Sequence, residues 1–148
     1  MTNDSIEEKL YFSVIGAFYE VHNFLGFGFL ETHYVHALEW ELRERGHDVG
    51  REVGISIRYK HLDLGFVRLD VVVDRRLVVE VKATEVLPPY ASRQTYNYLR
   101  ASDLELGLLL HFGPKPSFSK VFCRPHHKII PRMLTHSEHE QISTAENP

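Results

Sequence analysis

The chain is poor in cysteine, with a single residue, Cys123, in 148. A lone cysteine closes no disulfide within the chain and supplies none of the paired thiols of a zinc finger, so the fold has to rest on an apolar core. Long apolar runs are missing as well: no stretch approaches the roughly 20 residues that cross a bilayer. The opening segment, MTNDSIEEKL, is polar and acidic, whereas a secretory signal is basic and then apolar. These absences predict a cytoplasmic protein with no membrane segment.

A large positive charge is absent too. The net charge of -3 argues against coating nucleic acid by bulk electrostatics, but the charge is unevenly spread. Residues 1–48 carry nine acidic and three Lys or Arg residues. Residues 115–132 carry Lys115, Lys120, Arg124, Lys128 and Arg132, with His126 and His127 and no acid. Such a tract suits either a phosphate backbone or a solvated surface strand.

What is present reads as one domain of ordinary size, placed at residues 1–131, with a polar tail at 132–148. Ser5 and Glu8 form a capping-box pattern, and Ile6, Leu10, Val14, Ala17, Phe18 and Val21 recur at helical spacing. Gly26 and Gly28 interrupt that pattern. A second helix is expected from about Phe29, with Leu30, Tyr34, Leu38 and Leu42 as its apolar stripe and Gly46 beyond its end. Three strands in meander order follow, at VGISIRY, FVRLDVVV and RLVVEVKA. Pro88 and Pro89 open a helix that places Tyr90, Gln94 and Tyr98 on one face. The nearly continuous apolar run LELGLLLHF predicts a strand covered on both sides, and a further strand is expected at FSKVFC. The expected fold is therefore α/β: a mixed central sheet flanked by helices, with a two-helix lead-in followed by βββαββ.

The chemistry concentrates in LVVEVKATE. Glu80 and Lys82 are two residues apart, so on a strand they share a face, while Val79 and Val81 take the other. Asp70 lies on the preceding strand. A two-residue turn at Arg75 and Arg76 would put Asp70 and Glu80 on opposite faces. A three-residue turn at Asp74–Arg76 pairs Asp70 with Glu80 and aligns Leu69, Val71 and Val73 with Val81, Val79 and Leu77. The second register satisfies polarity and packing together. Two carboxylates side by side in apolar surroundings repel unless one takes a proton or a cation lies between them, and hard oxygen ligands favour Mg²⁺ or Mn²⁺. Lys82 would then orient a water or offset charge developing on a phosphate. The competing reading makes Lys82 a structural ion pair with Asp70 or Glu80.

Asp70, the EVK of Glu80 to Lys82, and QTYNYL from Gln94 resemble the PD-(D/E)XK nuclease superfamily, and the Q-x-x-x-Y element is similar to that of RecB-type nucleases. GFLETHY has Gly28, Glu31 and Tyr34 at G-x-x-E-x-x-Y spacing, so the chain resembles the small bacterial GxxExxY family. No proline precedes Asp70, a departure the superfamily tolerates. The resemblance implies a restriction-endonuclease-like core and a Mg²⁺- or Mn²⁺-dependent phosphodiesterase acting on nucleic acid, first of all DNA. It implies Asp70, Glu80, Glu31 and the Val81 backbone carbonyl as metal ligands, Lys82 as the catalytic lysine, and Gln94 as a residue that positions water or lysine. Tyr98, Lys115, Lys120 and Arg124 are the candidate nucleic-acid contacts. A homodimer or a partner protein is consistent with cutting both strands of a duplex. The alternative is a catalytically silent interaction module of the same fold.

His33 and His36 are expected to be surface residues, His126 and His127 to point apart, and Cys123 to be a small core residue.

Overall fold

The computed structural model describes residues 2–129. Its elements are α1 (Asn3–Leu25), α2 (Glu31–Glu44), β1 (Val49–Tyr59), β2 (Leu62–Val73), β3 (Leu77–Lys82), α3 (Ala91–Ala101), β4 (Leu106–Phe112), β5 (Pro116–Phe122) and a short 3₁₀ turn at Pro125–His127. The strands form one sheet in the order β1-β2-β3-β4-β5. Only β3 and β4 run parallel, and α3 makes the crossover that a parallel pair requires. The proposed tail at 132–148 and Arg132 lie outside the described residues.

Alternation along the strands splits the core in two. Val71, Val73, Leu77, Val79, Val81, Leu108 and Leu110 face α1 and α2, where they meet Val14, Phe18, Tyr34 and Leu38. Val72, Val78, Leu99, Val121 and Cys123 form the smaller cluster beneath α3. Every residue of β4 is buried, as its apolar run predicts.

The first helix begins before Ser5: Thr2 is the N-cap, and its hydroxyl accepts the Ser5 N–H at 3.4 Å. Threonine caps as serine does, so the expected capping box is displaced by one earlier oxygen. Leu30 is the residue before α2 and is exposed, whereas Tyr34, Leu38 and Leu42 are buried. Tyr34 stacks on Phe112 at 4.4 Å between centroids. Its hydroxyl donates to the Gly26 carbonyl at 2.5 Å and accepts the Phe29 N–H at 3.3 Å. The junction thus hangs on one buried phenol, and Gly28, at φ 113, takes a backbone conformation that other residues avoid. This fixes the chain one turn before Glu31.

The β2–β3 hairpin has the three-residue turn, with Val71 opposite Val79, Val72 opposite Val78 and Val73 opposite Leu77. Regular pairing stops there. Leu69 does not align with Val81; it lies in the cluster under α3, paired with Val53 of β1. The alternation changes at Asp70, beside Glu52, whose φ of 54 marks an irregularity in β1.

Candidate active site

Where the β2–β3 ladder ends, acidic side chains replace it. The Val81 N–H donates to Asp70 Oδ2 at 2.8 Å, and the Asp70 N–H donates to Glu80 Oε1 at 3.3 Å. Each strand's amide is therefore held by the other strand's carboxyl group. Glu80 is 3% exposed. Burial, and next the charge of Asp70, push its pKa up to about 8, and the two carboxyl groups are hydrogen-bonded to each other. Burial also raises Asp70, opposed by the Val81 N–H, the Glu80 contact and Lys82. Burial and mutual repulsion thus hold both acids towards their protonated forms, Glu80 above all.

The donor set tests whether a metal would fit. Two hydrogen-bonded carboxyl groups that ionise together only with difficulty offer hard oxygens that a divalent cation can take. Among the described residues, however, no group of three His, Cys, Asp or Glu side chains stands close enough to hold a metal ion. Glu31, the first residue of α2, does not join the pair as a third close acid. It stands across a cleft of about 60 Å³ lined with Thr32, His36, Arg51, Glu52 and Asp70. Partial burial and the charge of Asp70 raise its pKa, and Lys82 lowers it.

Lys82 is half-buried, with its ammonium 6.0 Å from the Tyr90 ring. Its charge stabilises the ionised forms of Glu31, Asp70 and Glu80 alike. Among the described residues it makes no ion pair within 4.0 Å, so the structural ion pair considered from the sequence is not formed. Gln94 and Tyr98 lie on one flank of α3, both half-buried. Burial, then the charges of Glu80 and Asp70, raise the Tyr98 hydroxyl.

The basic tract does not make one surface. Lys120 lies with its ammonium 4.8 Å from the Tyr11 ring, on the α1 side of the sheet, because strand alternation in β5 carries it away from α3. Lys115 is exposed beyond β4, at the end of that strand where His111 pairs with Lys82. Arg124 is exposed past β5, level with the opposite end of β4. Lys128 is turned inward, donating to the carbonyls of Leu99, at 2.6 Å, and Leu104. His126 and His127 do not point apart: the 3₁₀ turn winds them together with ring centroids 4.2 Å apart. His33 and His36 are exposed, and His33 Nδ1 accepts the Leu30 N–H at 3.2 Å. Cys123 is buried and free.

Sequence reasoning missed three residues at this site. Glu52 charges the Asp70 side of the cleft, and only the irregularity in β1 brings it there. His111, buried beside Lys82, bonds through Nε2 to the Thr84 carbonyl at 2.7 Å and the Thr84 hydroxyl at 3.2 Å, shaping the turn after Lys82. The signal for His111 was available, since it is the polar residue in an otherwise apolar buried strand. Gly113 leaves room for it: a Cβ there would lie 2.6 Å from the ring.

A second constellation looks catalytic and is better explained as a staple. Ser13 Oγ meets His47 Nε2 at 2.7 Å, and His47 Nδ1 meets Asp74 Oδ2 at 2.7 Å. Ser13 lies inside α1, where neighbouring backbone N–H groups are spent in the helix, so no backbone oxyanion hole surrounds it. Asp74 also accepts the Asp48 N–H at 2.8 Å. The relay ties α1, the α2–β1 connection and the β2–β3 turn together, which holds the register that sets Asp70 against Glu80.

A sheet with helices on both faces and an acid pair beside a lysine at the splayed end of a hairpin define a nuclease-type α/β domain. A family model described as PD-(D/E)XK nuclease superfamily matches residues 8–121, and the chain belongs to that superfamily. Its mixed five-stranded sheet is the restriction-endonuclease-like fold. No curated protein matches. Among solved structures, one titled "Crystal structure of SSO0001" is similar at a TM-score of 0.49 and 16% identity, over 77% of this chain. The match spans 58% of that structure's length. Among the described residues no helix is long and apolar enough to cross a membrane.

Proposed function

We propose that this chain is a divalent-metal-dependent nuclease that hydrolyses phosphodiester bonds in DNA, acting in the cytoplasm. The observation that carries the reading is the carboxyl pair of Asp70 and Glu80, with the Glu80 pKa lifted to about 8 and Lys82 close by without a contact ion pair. The spacing of Gly28, Glu31 and Tyr34 supports the closer kinship with the GxxExxY group.

Asp70, Glu80 and the Val81 carbonyl would hold Mg²⁺ or Mn²⁺, with Glu31 facing them across the cleft. Bound there, the ion supplies Lewis-acid charge and makes water a better nucleophile. The protein's own groups do the rest. Lys82 makes no ion pair among the described residues, so its ammonium can orient the attacking water and offset charge growing on the phosphate. Gln94, on the α3 flank, is suited to hold that water or Lys82. Tyr98 keeps its phenolic proton and can donate to a phosphate oxygen. The water gives up a proton as its oxygen adds to phosphorus, the P–O ester bond breaks, and the departing alkoxide takes up a proton to leave as the alcohol. Lys115, at the Lys82 end of β4, is placed for flanking phosphates. Cleavage of both strands of a duplex would call on two copies of the chain.

The separation of Glu31 from the acid pair favours a second reading, a silent nucleic-acid or protein interaction module. Incubating the purified protein with linear, circular and single-stranded DNA and with RNA, in Mg²⁺, Mn²⁺ or EDTA, separates the two. Divalent-dependent DNA cleavage that Glu80→Gln abolishes is expected. No cleavage of any substrate with either ion leaves the module.

A further inference from the structure

The outward side of α3 carries a second cluster that the acid site does not use. Arg93, Tyr96 and Arg100 of α3 and His126, His127, Lys128 and Ile129 around the 3₁₀ turn line an open cleft of about 370 Å³. Among the described residues its lining holds two arginines, a lysine and two histidines and no carboxylate. Among the described residues neither arginine makes an ion pair within 4.0 Å.

The cluster is pre-arranged. Arg93 lies 5.1 Å from the Tyr96 ring, and Tyr96 Oη bonds His127 Nδ1 at 2.9 Å. Arg100 Nε donates to the His127 carbonyl at 3.2 Å, and its Nη1 donates to Asn97 Oδ1 at 3.1 Å, which leaves other guanidinium N–H groups unassigned. The turn itself is pinned to the end of α3 by the Ile129 N–H to the Arg100 carbonyl at 2.8 Å and by Lys128 on the Leu99 carbonyl. Lys128 is thus the anchor, and the two arginines and two histidines are the recognition groups. With Tyr96 Oη donating to Nδ1, a neutral His127 carries its proton on Nε2 and presents a donor. Planar guanidinium donors beside imidazole donors suit the oxygens of a phosphate, and the carboxylates of Glu105 and Asp103, which act on Lys128, do not line the cleft.

We infer that this cleft is a second phosphate-binding site, separate from the Asp70–Glu80 pair, that grips the sugar-phosphate backbone of a nucleic acid crossing α3. Gln94 and Arg93 are neighbours about 100° apart around the helix, so one strand passing over α3 meets both flanks. Binding at the cleft stands by itself; its link to cleavage rests on the nuclease reading.

The test measures anisotropy of a fluorescein-labelled DNA oligonucleotide with the full chain in EDTA, over a range of salt, together with ¹H–¹⁵N spectra of the His127 ring during titration with inorganic phosphate. Arg93→Glu and Arg100→Gln, made separately, are expected to weaken oligonucleotide binding about tenfold and to reduce the salt slope by about 1 for each phosphate no longer gripped. Lys60→Glu, the same charge reversal at the tip of the β1–β2 hairpin, is expected to leave both unchanged. Folding of each variant is checked by melting. Wild-type affinity and slope in both arginine variants would overturn the proposal, as would a His127 response to inorganic phosphate without one to the oligonucleotide. Mg²⁺-dependent cleavage by the same proteins keeps the two readings apart. If the nuclease reading fails, cleavage is absent while binding still depends on Arg93; if the cleft fails, binding ignores Arg93 whatever the cleavage.

Discussion

The Val81 N–H donates to the Asp70 carboxylate at 2.8 Å, where a continuing β2–β3 ladder would have carried a backbone bond. The acid proposed as a metal ligand is thus also the group that closes the hairpin's open end. Charge and hydrogen bonding at this position are separable. Asp70→Asn keeps an oxygen acceptor for Val81 and is expected to fold with near wild-type stability while losing cleavage. Asp70→Leu strands a buried N–H and is expected to cost about 1–3 kcal/mol in urea unfolding.

Glu80 links stability to pH. Its pKa is raised from 4.5 to about 8 in the folded chain, so between those values the folded state holds a proton that the unfolded state has released. Stability is therefore full below the unfolded value and falls as pH rises through the folded one, by several kcal/mol at most. Melting in EDTA from pH 4.5 to 8.5 should show this decline, and Glu80→Gln should flatten it. Added Mn²⁺ should offset the loss at high pH in the wild type and not in the variant.

Lys82 has no contact ion pair among the described residues, so Lys82→Met is expected to shift the unfolding free energy by no more than about 1 kcal/mol. Calorimetric Mn²⁺ binding should persist in this variant while cleavage disappears. A protein that instead melts far below wild type would make Lys82 a structural counter-charge and sink its catalytic assignment.

The Ser13–His47–Asp74 relay should behave as a staple. Asp74→Ala leaves His47 and the Asp48 N–H without their acceptor, and a loss of about 1–3 kcal/mol is expected. Cleavage should fall with it, because the turn that sets Asp70 against Glu80 is loosened, and Ser13→Ala should cost less. Turnover of p-nitrophenyl acetate that vanishes with Ser13→Ala would show a nucleophile instead.

Tyr34→Phe removes the donor to Gly26 and the acceptor for Phe29 while keeping the stack on Phe112. A loss of about 1 kcal/mol is expected, with cleavage reduced more than binding, because Glu31 follows directly on the loosened junction.

Period-two and helical patterns in the sequence sufficed for the order of the elements, for β4 as a fully buried strand, and for the three-residue turn of the β2–β3 hairpin. Local rules decide such features: side chains alternate, and only one register buries Val71, Val73 and Leu77 while bringing Asp70 to Glu80. The tertiary structure decided what depends on groups far apart in the chain. Leu69 left its expected partner because side-chain bonds at Asp70 and an irregularity at Glu52 turn β2 there. Lys120 and Lys128 left the basic tract, one for the α1 side of the sheet and one to cap α3, because neighbours in sequence can face different elements. Glu52, His111 and the Arg93–Arg100 cleft carried no motif. Their positions come from packing between strands and helices, which alternation along a single strand does not encode.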